Sequence, residues 1–88
     1  MSQIVQEIPA RTVAWRVGRF EVDADAGLIS VTYRRSDGVE SRKQLTSEEG
    51  AQAIGMVNTR DNSAHHLDRF LLEWAQATFP EEFAGTIE

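Results

Sequence analysis

Two rhythms of apolar spacing divide this chain near residue 46. Ahead of that point, short runs alternate apolar and polar residues with the two-residue period of a strand. Beyond it, apolar positions recur every three or four residues, as on one face of a helix.

Ile4, Val5 and Ile8 precede Pro9, so residues 1–9 form an apolar arm, either an edge strand stopped by the proline or a loose terminus. From Thr12 to Val22, Val13, Trp15 and Val17 share one parity and Phe20 and Val22 the other. A one-residue slip flips every later side chain to the opposite face, so a bulge or bend at Gly18 reconciles the two sets. The segment Asp23-Ala24-Asp25-Ala26-Gly27 then reads as a turn leading into a strand from Leu28 to Tyr33.

The next turn, Ser36-Asp37-Gly38, fixes a register. A three-residue loop, with a type I turn followed by a left-handed glycine, pairs Arg35 with Val39, Tyr33 with Ser41, Val31 with Lys43 and Ile29 with Leu45. It leaves Arg34 opposite Glu40 and Thr32 opposite Arg42 on a wholly polar face. A two-residue Asp-Gly loop mixes apolar and polar residues on both faces and is disfavoured.

Thr46-Ser47-Glu48-Glu49 has the pattern of a capping box, with Thr46 or Ser47 as the cap and the glutamates at the positive end of the dipole. Ala51, Ile54 and Val57 follow at helical spacing, while Gly50 and Gly55 each weaken the helix by about 1 kcal/mol relative to alanine. A second helix is predicted over residues 63–78. Its stripe is Ala64, Leu67, Phe70, Leu71, Trp74 and Ala75, with His66, Asp68, Arg69, Glu73 and Gln76 outward and Pro80 ending the run. Residues 80–88 form a tail carrying Phe83 and Ile87, expected either to fold back or fray, or else to bind a partner.

These elements make an α+β fold in one domain spanning 1–88: an antiparallel β-meander of three or four strands followed by two helices, the C-terminal helix packed on one face of the sheet. One helix layer covers one sheet face. Trp15, Phe20, Phe83 or the arm at Ile4 are thus expected to stay partly exposed, and exposed aromatic clusters mark interfaces.

Composition narrows the function classes. Eighty-eight residues leave a small stability margin, so apolar side chains are assigned to a core first. The absence of cysteine removes disulfides, thiolate catalysis and cysteine-ligated zinc. The start does not predict a signal peptide, and no run reaches the ~20 apolar residues of a membrane span, which suits a cytoplasmic protein. Eight arginines against one lysine, with frequent alanine, hint at a GC-rich bacterial or phage genome. The net charge of -5 is uneven: residues 1–43 sum to +1 and residues 44–88 to -6. Such a field repels phosphate and attracts a basic partner.

Candidate chemistry is thin. Asp23, Asp25 and Gly27 resemble the start of a calcium loop, but Leu28 and Arg34 fall where its glycine and closing glutamate belong. His65 and His66 are adjacent and diverge by about 100° on a helix, and His65 with Asp68 or Asp61 lacks a third ligand. Ser63, His65 and Asp61 invite a triad, but their crowding in sequence is no evidence of triad geometry, and capping explains Ser63 and Asp61. No cofactor or metal is expected. Arg34, Arg35, Arg42 and Lys43 form the one dense basic group, a candidate nucleic-acid contact, although the register splits it between two faces.

The sequence therefore points to a non-enzymatic, small acidic protein-binding module, a bacterial or phage accessory or inhibitor protein. Its partner contacts are Asp68, Glu73, Glu81, Glu82 and Phe83, and its partner is a basic protein or, in a homodimer, a second copy. Nucleic-acid binding through the 34–43 hairpin is the alternative, and a metal-dependent or acid–base enzyme around His65 the second.

The register makes the first testable statement. Gly38→Ala should lower stability by about 1 kcal/mol or more in equilibrium urea denaturation, because a Cβ is strained at positive φ. An unchanged midpoint excludes the three-residue loop.

Overall fold

The computed structural model describes residues 2–23, 25, 28–57 and 63–88, with side chains left aside at 47, 54–57 and 63–66. Its elements are β1 (Ile4–Ile8), β2 (Arg11–Asp23), β3 (Leu28–Arg35), β4 (Glu40–Leu45), α1 (Ser47–Val57), α2 (Ser63–Thr78) and β5 (Thr86–Ile87). The strands form one antiparallel sheet in the order β4-β3-β2-β1-β5. The expected α+β meander is present, with five strands rather than three or four. The arm supplies β1 and the tail supplies β5. β1 is therefore not an edge strand at Ile4 and Val5, where β5 lies beside it.

The hairpin register is the expected one, with Ile29 opposite Leu45, Val31 opposite Lys43, Tyr33 opposite Ser41 and Arg34 opposite Glu40. Gly38 has φ +96°, and the loop is closed by Arg35 N–H to Val39 O at 2.8 Å and Gly38 N–H to Arg35 O at 2.9 Å. The β2–β3 register shifts between Val17 and Arg19. Gly18 is thus the extra residue of a bulge, and Val17 and Phe20 both reach the inner face. The β1–β2 turn is Pro9-Ala10, with Ala10 at φ 70°.

α1 opens with the capping box: Thr46 Oγ1 accepts from the Glu49 N–H and Glu49 Oε2 accepts from the Thr46 N–H, both at 3.3 Å. Thr46 is the cap. The buried positions of α1 are Gly50 and Ala53, whereas Ala51 is exposed; Ile54 and Val57 lie outside the described side chains. Position 50 is glycine for a steric reason, since a Cβ there would run into the end of Ile29. α2 has the predicted bounds and brings Leu71, Leu72 and Ala75 into the core, with Leu67, Phe70 and Trp74 packed alongside.

The core lies between the inner sheet face, the helices and the tail. Ile4, Trp15, Val31, Tyr33 and Phe83 are all at most 2% exposed. This corrects the expectation that Trp15, Phe83 and Ile4 leave an exposed aromatic cluster; Phe20 alone of that set is half-buried. The reason is the tail. Phe83 stands 5.0 Å from the Trp15 ring, 4.8 Å from Tyr33 and 6.5 Å from Phe79, covering sheet that α2 does not reach. Gln76, expected to face outward, instead donates to the carbonyls of Phe83 at 3.2 Å and Gly85 at 2.9 Å.

Gly85 lets the tail rejoin the sheet. It has φ +142°, and a Cβ would collide with the Val5 carbonyl oxygen, a backbone atom that cannot swing aside. Gly85→Ala should therefore destabilise the fold by about 2 kcal/mol or more. It should also loosen Phe83 from Trp15, readable as a red-shifted tryptophan emission together with a lower urea midpoint. Unchanged emission and midpoint would show that the tail tolerates a side chain here.

Candidate functional site

Alternation along the strands sends Gln6 and Ile8 of β1, Trp15 of β2 and Arg35 of β3 to the inner face. At this end of the sheet the tail turn, rather than a helix, lies over them. The result is a cleft of about 600 Å³ lined by Gln6, Glu7, Ile8, Trp15, Arg35 and Val39 on the sheet side and by Glu81, Glu82, Ala84 and Gly85 on the tail side.

Its walls are held by polar contacts, of which the Trp15–Gln6 bond is buried. Trp15 Nε1 donates to Gln6 Oε1 at 3.0 Å, and Gln6 Nε2 donates to the Glu82 carbonyl at 2.8 Å, so one glutamine ties sheet to tail. Lys43 Nζ lies 2.7 Å from Glu82 Oε2 and 4.3 Å from the centre of the Phe79 ring, and Ser41 donates to Glu82 Oε1 at 2.9 Å. Burial pulls the Glu82 carboxyl upward, but the hydrogen bonds from Lys43 and Ser41 outweigh it and leave the group below its ordinary value. Arg35 lies over Trp15, 5.6 Å from its centre, and grips both oxygens of Asp37 at 2.7 Å, while Arg11 reaches the same carboxylate at 3.0 Å.

The expected partner contacts are dispersed. Glu81 and Glu82 stand side by side in the tail turn, but Asp68 lies ten residues before the end of α2, about 15 Å along its axis. Glu73 is paired with Arg69 at 3.0 Å. Phe83 is fully buried and presents no surface to a partner, a core role that its place in the tail left open. The basic group is split as the register requires: Arg34 bonds Glu40 at 2.8 Å on the outer face, while Arg35 and Lys43 are spent on Asp37 and Glu82 on the other. The four do not form one surface. Asp61 lies outside the described residues, as do the side chains of Ser63, His65 and His66.

Among the described residues, no three His, Cys, Asp or Glu side chains are grouped to hold a metal ion, and every buried side-chain nitrogen and oxygen has a partner. The Tyr33 hydroxyl donates to the Leu71 carbonyl at 2.6 Å, and burial pushes its phenol far up. No described helix is long and apolar enough to cross a membrane.

The pattern of unpaired charge is clearer than any cluster. Among the described residues, Arg16 and Arg42 are the cations with no carboxylate partner, and both stand on the outer sheet face. Glu48, Asp68 and Glu81, on the helices and tail, have no basic partner, and neither has Glu7 at the cleft. Gln6, Glu7 and Ile8 were missed as site residues. The signal for Gln6 was a polar residue sharing a face with Ile4 and Ile8; nothing local marks Glu7.

Compared with protein-family models, curated proteins and solved structures, the chain matches none of them.

Asp37 gives this site a pH signature. Hydrogen bonding from Arg35 leads, lost hydration opposes it, and the charges of Arg35 and Arg11 with the Val39 N–H add to it, taking the carboxyl from 3.8 to about 2. A folded value below the unfolded one means that the stabilisation is full above 3.8 and is lost as pH falls toward 2. The urea midpoint of the wild type should therefore drop more steeply across that interval than that of Asp37→Asn. Parallel slopes would show that the bidentate pair does not persist in solution.

Proposed function

We propose that this chain is a non-enzymatic, acidic protein-binding module that engages a basic protein partner through its helix-and-tail side. The observation that carries the reading is the charge left after internal pairing: Glu48, Asp68 and Glu81 stand unpaired on that side, while the two unpaired arginines stand on the opposite face, where Glu7 at the β1 edge is the unpaired carboxylate beside the cleft. A surface of one sign steers a partner of the other and raises its association rate. The non-enzymatic half is supported by how the polar groups are used. Tyr33, Gln6, Glu49 and Glu82 are each held by structural hydrogen bonds rather than aimed at a common point. Strand addition along β4 by a second copy is less favoured, because Glu40, Arg42 and Lys43 charge that edge in the way sheets resist edge pairing.

Asp68 and Glu81 are the informative positions, since reversing Glu73 or Glu82 would also break an internal pair. Partners captured from source cells by the wild type should be lost by at least about tenfold from the Asp68→Lys, Glu81→Lys double variant, and should weaken with salt. A capture profile indifferent to both, with the variant folded by circular dichroism, overturns the acidic-side reading.

A further inference from the structure

Gln3 and Glu88 exchange both main-chain hydrogen bonds, at 3.1 and 2.8 Å. In an antiparallel ladder this parity turns the amides of residues 3, 5 and 7 toward the β5 side and those of 4, 6 and 8 toward β2. β5 accompanies β1 only at Ile4 and Val5, because the chain descends at Gly85 to bury Phe83. Glu7 is exposed, and its N–H and C=O thus face a side from which the strand has departed, at the mouth of the cleft. Such groups are a template for another strand.

We infer that the Gln6–Ile8 stretch of β1 is a docking edge for an extended basic segment of a partner protein, which adds there as a short antiparallel strand in line with β5. This deepens the protein-binding reading and rests on it. The central residue of the segment exchanges both main-chain bonds with Glu7, and its side chain falls on the outer face beside the Glu7 carboxylate. The residues flanking it point inward, over Ile8 and Val39 and toward Glu81. Three strand residues span about 10 Å. Charge chooses the occupant: Glu7, beside the central residue, has no internal cation, whereas the one guanidinium lining the cleft, Arg35, is held by both oxygens of Asp37.

The full ¹⁵N-labelled chain should be titrated with acetyl-Lys-Val-Lys-Val-Lys-amide, with the same peptide N-methylated at its central lysine, and with its glutamate counterpart. The expected result is a shifted Glu7 amide with slowed hydrogen exchange, binding weakened about tenfold by the single N-methyl group, and no binding of the acidic peptide. Binding with perturbations confined to Asp68 and Glu73 and indifferent to N-methylation overturns strand addition while leaving the acidic-side reading intact. No binding at millimolar peptide overturns the docking edge; the acidic-side reading then stands or falls on the charge-reversal capture. A Glu7 amide already protected in the free protein, increasingly so with concentration, assigns the edge to a second copy and overturns the inference.

Discussion

The insertion of Phe83 between Trp15 and Tyr33 is the contact on which the rest of this structure depends. A five-stranded sheet offers more inner surface than one long helix can cover, and α1 is shorter, with two of its eleven residues glycine. Without the tail, Trp15 and Tyr33 would face water. Burying a phenylalanine contributes about 1.5–3 kcal/mol, and each tilted aromatic pair adds about 0.5–1.5 kcal/mol. In a chain this small the net stability is of order 5–15 kcal/mol, so the last nine residues are part of the core rather than an appendage. The hydrogen bonds of Gln76, Gln6 and Lys43 all converge on the same short turn.

The other buried polar groups join elements in the same way. Tyr33 caps the Leu71 carbonyl of α2, the Trp15 indole is held by Gln6, and the Trp74 indole donates at 2.6 Å to the same Glu49 that closes the capping box of α1. Each bond joins two elements that hydrophobic packing alone would hold less specifically, and each satisfies a group whose burial would otherwise be costly. Glu49 is the clearest case, since one carboxylate serves both the start of α1 and the side of α2.

What was legible in the sequence was whatever short-range physics decides. The bulge at Gly18 follows from a parity change, the hairpin register from a glycine that must be left-handed, and the bounds of α2 from its periodicity and Pro80. The rest was decided by contacts distant in sequence. Nothing near Thr86 announces a strand, because its partner is Val5. Gln76 has the spacing of a solvated helical residue and becomes a clasp only when the tail passes beneath it. Phe83 on an acidic background reads equally as an anchor for a partner or for its own core. The candidate site was legible only in its charge: Glu81 and Glu82 were picked out, but Glu82 is spent on Lys43, and the neighbours that make a cleft around Glu81 come from the opposite end of the chain.

The two edges of the sheet show how closure and recognition are linked. At β4 the edge carries Glu40, Arg42 and Lys43 and leads into α1, so an added strand meets charge on both faces. At β1 the edge is protected differently, by the chain's own tail, and only where the tail runs. Because Phe83 must descend into the core three residues before β5 begins, the tail cannot also cover Gln6–Ile8. The same descent opens the cleft beneath them. Hence the uncovered edge and the adjoining cavity are one geometric consequence of using a C-terminal aromatic to finish the core, and the unpaired carboxylates of Glu7 at the edge and Glu81 across the cleft give that corner a negative field.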